Sequence, residues 1–561
     1  MTWLSSALRS STKKRTIQVL LPRLSPLRSE ELFTSWAGVP KDTAHHTKSA
    51  LSPSRSLGHG QVYRRQCCFT ATIEQGTSSM VSKLLFTLSS DLSENIEKGL
   101  LEKSVHRSLS SSTEARAPKE PEVEIISKEN IKPASLTPLH LRKYKLSGLD
   151  QLFPHLYAPL VFYYPNNENA ASEDVIHERS QRLKQSLSET LTRFYPFAGR
   201  IKDELHIECN DDGVYYVQTR VNDRLSDFLS QPDNKLIHKL LPYDPNSMSS
   251  NSETYLVMIQ VNFFDCGGVA ISLCTSHKLI DGHTYAVFLK AWTETALGSS
   301  DKIYPSFIAP SLFPQNPSLA KGSSIVMLPS KHKQSKCVTR RIRFNASAIS
   351  ALKEKAARNP SRVVTVASFI WKCATAASRA KGGSVKPSVL SLAVNLRNRC
   401  SPPLPQYTIG NNVWGAVAFS LPDSELELHS MVAGLTDGIA KVNSDFIDEI
   451  KGKEGLLKLA ESIKQFGEMH SNAGADYYAV TSVCNGGLYD ADFGWGKPIW
   501  ISIGNGSADL PMLTNVIFLM DTPSGNGVEA WVTLSEEDMA ILECDPELLS
   551  FASLDPCPLL S

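Results

Sequence analysis

The chain has 561 residues, of which 42% are apolar and 20% charged, so it can bury more than one hydrophobic core. Its formal net charge of +1 gives no general reason to expect a nucleic acid or a membrane surface as a partner. No apolar run approaches the roughly 18 residues of a spanning helix, and the eleven cysteines form no Cys-x-x-Cys pair, which together predict a soluble cytoplasmic protein with reduced thiols.

The first 120 residues form an N-terminal extension whose composition differs from the rest. Residues 1–72 hold eleven Lys or Arg against three acidic residues and are rich in Ser, as in an organellar transit peptide. An unstructured extension or a gene-model artefact explains the same composition, and the helical apolar spacing of residues 79–103 is more than a leader needs. We expect residues 1–120 to be disordered and to have no catalytic role, with organellar targeting by residues 1–72 as the alternative.

From residue 121 onward, strand and helix patterns alternate. Residues 123–126 predict a short strand, and residues 178–194 place four apolar side chains on one stripe of a helix. The apolar runs 255–264 and 269–276 are separated by Asp265-Cys266-Gly267-Gly268, a natural connection between antiparallel strands. These patterns predict an α/β fold that contains a hairpin ending at residue 276.

A break in this pattern divides the rest of the chain. Residues 305–323 are rich in Pro and Ser and lack periodicity, which is typical of a linker. A second region of strands and helices follows, with a helix near residues 363–379 and a closing hairpin at residues 516–534. The sequence therefore predicts two domains after the extension, residues 121–320 and 321–561.

The main chemical feature of the chain is a histidine at the end of the predicted hairpin. His277 follows the second strand, and Asp281 lies four residues later; among the fourteen histidines, only His277 has an Asp at this spacing. A neutral imidazole can accept a proton from an alcohol near neutral pH. Asp281 then either orients the imidazole, as a triad acid does, or turns away and stabilises the loop through a cation.

Two other interpretations of this pair stay open from the spacing alone. A histidine at a strand end also satisfies a backbone carbonyl without any chemical role. His277, Asp281 and His283 could instead bind a metal, since imidazole and carboxylate suit zinc or iron. Because no second cluster completes such a ligand set, we expect no metal site.

A second segment, Asp492-Phe493-Gly494-Trp495-Gly496, holds two glycines around a tryptophan and predicts a tight loop. In one interpretation it is a turn whose aromatic side chains pack into the core, and in the other it is a functional loop. If Asp492 is buried it needs a cationic partner, and Arg397 and Arg399 are the candidates.

Several enzyme classes are excluded by missing motifs. The chain has no G-x-S-x-G elbow, no P-loop and no G-x-G-x-x-G in strand and helix context, which argues against a serine hydrolase, a nucleotide-driven transferase and a Rossmann dehydrogenase. A base without an evident protein nucleophile suits direct attack of one bound substrate on another. Acyl transfer from an activated ester is a reaction of this kind.

Three segments resemble those of the plant BAHD acyltransferases. His277-Lys278-Leu279-Ile280-Asp281 matches the family's H-x-x-x-D, Asp492 to Gly496 matches its D-F-G-W-G, and Tyr195-Pro196-Phe197-Ala198-Gly199-Arg200 matches a third recurrent segment. The likeness covers about residues 122–561. Three further segments resemble the branch that contains vinorine synthase, namely residues 131–138, 146–150 and 402–405.

The resemblance implies two domains like that of chloramphenicol acetyltransferase, with mixed β-sheets, flanking helices and an active-site channel at their interface. Coenzyme A thioester would enter on one side and the acceptor on the other. His277 would remove the acceptor's hydroxyl proton and return a proton to the departing thiolate. Asp281 would support the His277 loop through an ion pair, and Asp492 would pair with Arg397; the coenzyme A contact residues stay unassigned.

The resemblance favours a coenzyme A-dependent O-acyltransferase that moves acetyl from acetyl-CoA to a hydroxyl of a terpenoid, triterpenoid or alkaloid. We expect a monomer with no permanently bound cofactor and no nucleic-acid or membrane partner. A hydroxycinnamoyl or other aromatic acyl donor is the first alternative. A catalytically silent family member that binds a ligand or a partner is the second.

Overall fold

The structure, a computed structural model, describes residues 121–166, 173–242, 255–317, 336–356, 358–382, 385–504 and 515–560. The predictions made for residues 1–120 lie outside these ranges. The strands are β1 Val123–Ile131, β2 Lys143–Lys145, β3 Tyr157–Tyr164, β4 Arg200–Ile201, β5 His206–Glu208, β6 Val214–Val221, β7 Val257–Phe264, β8 Val269–Ser276, β9 Cys337–Phe344, β10 Ser388–Asn395, β11 Val413–Ser420, β12 Asp476–Ser482, β13 Trp500–Ile503, β14 Val516–Asp521, β15 Val528–Ser535 and β16 Ser553–Leu554.

The helices lie between and around these strands. The α-helices are Gly148–Gln151, Glu173–Arg193, Leu225–Ser230, Asn234–Lys239, Gly282–Ala296, Ala309–Leu312, Ala346–Ala356, Arg362–Ala380, Leu428–Lys441, Ser444–Ile450, Gly452–Ala473, Glu536–Leu542 and Pro546–Phe551, and the 3-10 turns are Leu139–Leu141, Tyr195–Ala198, Arg397–Arg399, Leu488–Asp490 and Pro558–Leu560. Among the described residues, no helix combines the length and the apolar character needed to cross a membrane.

The first sheet has six strands in the order β1-β6-β7-β8-β3-β13. The hairpin predicted around residue 266 is present, since β7 and β8 pair antiparallel. Every residue of both strands is buried, because the sheet is covered on both faces. The helices Glu173–Arg193 and Gly282–Ala296 pack together beside this sheet. Their apolar stripes, which include Leu183 and Trp292, complete the core.

The second sheet has seven strands in the order β11-β10-β12-β14-β15-β9-β16. It pairs β10 parallel to β12 and β12 parallel to β14, while β15 pairs antiparallel to its neighbours, so the sheet is mixed. The helix Arg362–Ala380 lies in its core through Phe369 and Trp371, both fully buried. Two mixed sheets with flanking helices confirm the α/β class that the sequence predicts.

One strand connects the two sheets. The chain leaves the second sheet after β12, forms the loop that contains Asp492 to Gly496, and then adds β13 to the edge of the first sheet beside β3. Trp500 of β13 stacks on Tyr163 of β3, with ring centroids 5.0 Å apart. The domain boundary at residue 320 stays a prediction. Strand β13 follows this boundary in the sequence but completes the first sheet.

Candidate active site

A cavity of about 950 Å³ lies among residues of both sheets. Its walls include Leu160 of β3, Thr275 of β8, Ala393 of β10 and Val480 of β12, together with one side of the helix Gly282–Ala296. A volume near 1,000 Å³ is at the upper end of the range for small-molecule sites, which is about 300–1,000 Å³. His277 lines this cavity directly after β8, where the sequence predicts it.

His277 is held in place by a hydrogen bond from its backbone and by a stacking contact to its ring. Its backbone N–H donates to the carbonyl of Leu156 at 2.7 Å, which fixes the residue just past the strand end. Its ring stacks on Phe153, with centroids 4.8 Å apart and planes 4° from parallel. Burial lowers the pKa of His277 below its usual value and outweighs the opposing effects of Asp281 and Asn411. The ring is therefore neutral near pH 7, as a base must be.

The side chain of Asn411 sets which ring nitrogen is free. Its Oδ1 lies 3.1 Å from Nδ1 of His277, while its Nδ2 donates to the His277 carbonyl at 2.8 Å and to Oδ1 of Asp150 at 3.0 Å. A backbone carbonyl and a carboxylate accept hydrogen bonds, so the amide must face the imidazole with its oxygen. Nδ1 then carries the proton, and Nε2 keeps the lone pair of a base.

Asp281 turns away from the imidazole and caps the next helix. It is the N-cap of Gly282–Ala296, and its carboxylate accepts from the backbone N–H of Thr284 at 2.8 Å. The same carboxylate makes a two-point ion pair with Arg397, at 2.7 and 3.1 Å, with both side chains buried. Burial raises the pKa of Asp281, but Arg397 and the hydrogen bonds outweigh it and hold the pKa below its usual value.

The expected pair between Asp492 and Arg397 is wrong. Every N–H edge of Arg397 is already used: besides Asp281, the guanidinium donates to the carbonyls of Thr408 and Gly410 and to the side chains of Thr284 and Asn395. A guanidinium has five N–H donors, so none is left for a second carboxylate. Arg397 instead holds the segment Thr408–Asn412 beside the site.

Asp492 organises its own loop. Its Oδ1 accepts from the backbone N–H groups of Gly494 at 2.7 Å and Gly496 at 3.0 Å. Both glycines have φ near +105°, a conformation that other residues rarely adopt. Phe493 is fully buried against Trp292, and Trp495 packs at the edge of the same core. The loop is thus a turn with its aromatic side chains in the core.

The alternative metal ligand set is not formed. Both carboxylate oxygens of Asp281 accept hydrogen bonds from Arg397. His283, which also lines the cavity, lies 2.8 Å through its Nε2 from the carbonyl of Gln406. In the part of the chain that the structure describes, no cluster of three or more His, Cys, Asp or Glu side chains could hold a metal ion.

The third recurrent segment, residues 195–200, belongs to the core. Phe197 is fully buried, and the guanidinium of Arg200 donates to the carbonyls of Gly199 and Gly213 while its Cζ lies 3.8 Å from the ring centroid of Tyr255. Phe197 and Ala198 therefore pack in the same hydrophobic core as the first sheet.

Sequence reasoning missed three contributors to the site. Phe153 and Asn411 contact the imidazole, and Asp150 contacts Asn411. Asp150 lies in one of the segments that resemble the family, but the sequence alone assigns it no role. Nothing in the sequence marks Asn411, which is 134 positions from His277. Lys278 is also buried, and its Nζ binds Glu204 at 2.8 Å and the Phe153 carbonyl at 3.3 Å.

Known proteins are similar to this chain in sequence and in fold. Residues 121–549 match the Transferase family. Epi-neemfruitin B 7-O-acetyltransferase of Melia azedarach is 43% identical over 452 residues, and limonoid 7-O-acetyltransferase of Citrus sinensis is 43% identical over 458 residues; each comparison covers 78% of this chain and all of the relative. The crystal structure of vinorine synthase matches with a TM-score of 0.67 and 34% identity, over 77% of this chain and 99% of that one.

Proposed function

The chain belongs to the Transferase family, the BAHD acyltransferases, and from this membership we propose that it transfers acetyl from acetyl-CoA to a hydroxyl of an oxygenated terpenoid, with His277 as general base. The observation that carries the proposal is the position of the His277 imidazole in the cavity, with its Nδ1 3.1 Å from Oδ1 of Asn411, an arrangement that leaves Nε2 to act as the base. Acyl transfer between two bound substrates needs such a base and no protein nucleophile.

The choice of substrates rests on the relatives and on the cavity. Of the two proteins with 43% identity, one is named as an epi-neemfruitin B 7-O-acetyltransferase and the other as a limonoid 7-O-acetyltransferase. Akuammiline synthase and salutaridinol 7-O-acetyltransferase, at 34% identity, are more distant. The cavity walls include Leu160, Ile280, Leu289 and Val413, which suit the hydrocarbon skeleton of a terpenoid. We therefore place a terpenoid alcohol ahead of an alkaloid alcohol.

The proposed reaction is one displacement in a ternary complex. Nε2 of His277 takes the proton from the acceptor hydroxyl as its oxygen attacks the thioester carbonyl carbon, which gives a tetrahedral oxyanion. The oxyanion collapses, the carbon–sulfur bond breaks, and the departing thiolate takes the proton from the imidazolium. The products are an acetate ester and free coenzyme A. Holding both substrates beside one imidazole lowers the entropic part of the activation barrier. The high effective molarities of intramolecular reactions show that this contribution is large.

Phe153 and Asn411 support this step in different ways. The parallel ring of Phe153 fixes the plane of the imidazole, and its contact area disfavours rotation of the side chain. Asn411 accepts from Nδ1–H, and this bond persists and strengthens when the ring becomes a cation. The geometry thus favours the imidazolium that forms during the reaction without giving it a full negative partner.

The test is a matrix of thioesters against alcohols. The purified protein is incubated with acetyl-, malonyl- or hydroxycinnamoyl-CoA and with limonoid, other terpenoid or alkaloid alcohols, and free thiol and ester are measured. We expect release of coenzyme A matched by acetate ester on a terpenoid alcohol. His277→Ala should retain the fold and lose turnover by about 100-fold or more, since general-base catalysis contributes roughly 100- to 10,000-fold.

Other outcomes identify the alternatives. Preference for a hydroxycinnamoyl donor replaces the acetyl assignment with an aromatic one. Binding of an alcohol or of coenzyme A, with no ester formed from any thioester, indicates a silent member that acts as a binding protein. Near-normal rates in His277→Ala refute the general-base assignment, whatever the donor.

The place of action is a separate proposal. We propose a cytoplasmic location, because the eleven cysteines form no Cys-x-x-Cys pair and no dense disulfide framework, which fits a reducing compartment. From the family resemblance we also propose a monomer. Residues 1–72 are the segment to test: a fluorescent fusion of the full chain and one that starts at residue 121 should both be cytoplasmic. Organelle import of the full chain alone would assign those residues a targeting role.

A further inference from the structure

Asp150 is a fully buried carboxylate close to the base but not in contact with it. The donors that contact it are neutral groups. Oδ2 accepts from the backbone N–H and the hydroxyl of Ser147, at 2.9 and 2.6 Å, and Oδ1 accepts from the backbone N–H and Nδ2 of Asn411, at 2.7 and 3.0 Å. Burying a charge is costly, so a carboxylate that has no cationic partner among the described residues calls for an explanation beyond packing.

The two hydrogen bonds that Asp150 accepts from Ser147 are explained by helix capping. Ser147 and Asp150 form a capping box at the start of the short helix Gly148–Gln151, which satisfies the first N–H groups of that turn. The other two hydrogen bonds reach 261 positions along the chain to Asn411 and do nothing for the helix. The carboxylate therefore joins a local cap to the residue that touches the imidazole.

The orientation of the Asn411 amide has chemical consequences. Rotating the amide by 180° would place its NH₂ group against Nδ1 of His277, and a donor there forces Nδ1 to accept. The proton would then move to Nε2, the nitrogen that has to act as the base. Asp150 opposes this rotation together with the His277 carbonyl, because a rotated amide would set its oxygen against the carboxylate at 3.0 Å and against that carbonyl at 2.8 Å.

We propose that Asp150 is a positioning residue that selects the reactive tautomer of His277 through the Asn411 amide. The Asp150 carboxylate holds the Asn411 Nδ2, the Asn411 Oδ1 holds the His277 Nδ1–H, and Nε2 faces the acceptor hydroxyl. The role rests on the proposed general base, and Asp150 itself contacts neither substrate.

The test reads the tautomer directly. Full-length protein carrying ¹⁵N-labelled histidine is studied by NMR of the ring nitrogens, with His277 identified by the signals lost in His277→Gln. The wild type should show a protonated Nδ1 and an unprotonated Nε2. Asp150→Ala and Asn411→Leu should both populate the other tautomer and lower kcat by roughly 10- to 100-fold, as the loss of supporting hydrogen bonds does around metal-bound histidines.

The pH profile gives a second signature. The Asn411 hydrogen bond raises the pKa of His277, so its loss should move the acid limb of kcat/KM to lower pH while the plateau falls. A residue that only stabilises the fold would lower the amount of folded enzyme and leave both the tautomer and the profile unchanged.

Two control variants separate positioning from folding. Asp211→Ala removes another buried carboxylate, one bonded to Thr137 and Arg142, and should cost stability without changing the His277 signals. Ser147→Ala removes the capping box but keeps the Asn411 contacts, and should behave in the same way. If Asp150→Ala does not fold, Asp150→Asn replaces one acceptor oxygen by a donor at the same size and should give a mixture of tautomers.

The outcomes distinguish this proposal from the proposed function. Wild-type tautomer and pH profile in a folded Asp150→Ala or Asp150→Asn overturn the positioning role even if His277→Ala is inactive. A tautomer change in Asp150→Ala combined with full turnover in His277→Ala would mean that Asp150 sets the tautomer of His277 but that His277 is not the general base.

Discussion

The ion pair between Asp281 and Arg397 should carry a large share of the stability around the site. Both side chains are almost completely buried, and the carboxylate also caps a helix. Asp281→Ala leaves the guanidinium buried without its charge partner, and breaking a buried pair in this way costs about 3–5 kcal/mol. We expect a fall of that size in the free energy of unfolding, measured by urea denaturation at pH 7.

Asp281→Ala should lower activity because it disturbs the loop that contains Asn411, and not because it changes the base itself. Arg397 donates to the carbonyls of Thr408 and Gly410, and Asp281 itself accepts from the backbone N–H of Asn412 at 3.0 Å. These contacts hold both sides of Asn411, which touches the imidazole. The folded Asp281→Ala protein should therefore lose kcat while its affinity for substrates changes less.

A matched surface pair gives the control. Arg220 and Asp265 form an ion pair at 3.0 Å with side chains 57% and 44% exposed, so solvent and salt screen the interaction. Asp265→Ala should therefore lower the free energy of unfolding far less than Asp281→Ala does. If Asp281→Ala is no more destabilised than Asp265→Ala, the reasoning from burial is wrong.

The pH dependence of this pair has a definite sign. The folded pKa of Asp281 is lowered, so its contribution is present above the unfolded value of about 4 and is lost as pH falls through the folded value. The stability difference between wild type and Asp281→Ala should be constant from pH 6 to 8 and shrink below about pH 4. A difference that grows on acidification would contradict the ionised pair.

Three further predictions concern neighbouring features. The pKa of His277 is lowered by burial, so kcat/KM should decline only below the usual histidine value of about 6.5 as pH falls, measured with saturating acetyl-CoA; an inflection above 7 would contradict this. Gly494→Ala should destabilise the protein by about 1–3 kcal/mol in urea unfolding, because φ is +105° and the added Cβ would meet the side chain of Arg182. Asp492→Ala should lower thermal stability by the loss of two hydrogen bonds, about 1–3 kcal/mol, while the Asp281 ion pair stays intact in a crystal structure of the variant.

Much of the fold was accessible from local patterns. The hairpin of β7 and β8 and the helical stripe with Leu183 and Leu187 follow from periodicity and turn residues, which act over a few positions. The placement of His277 in a cavity followed from its position at a strand end. These features depend on neighbours in sequence, so the sequence contains them.

The contacts that set the chemistry depend on residues far apart. The sequence names Arg397 and Arg399 as candidate partners for Asp492 and leaves the cation that pairs with Asp281 open. Only the folded chain shows that Arg397 pairs with Asp281 and that its other N–H groups bond to neighbouring loop residues. An asparagine at position 411 has no local signature, since its amide acts only after two distant segments meet. Long-range pairing of this kind is not encoded in spacing.

The strand β13 has a consequence for protein engineering. Four residues, Trp500 to Ile503, lie beyond the midpoint of the chain yet form the edge of the first sheet beside β3. A fragment that stops near residue 320 would expose the hydrogen-bonding edge of β3 and the aromatic face of Tyr163, which invites aggregation. Chimeras that exchange halves with a relative should therefore move β13 together with the first sheet, so that the crossover points fall on either side of this strand and not at a single linker.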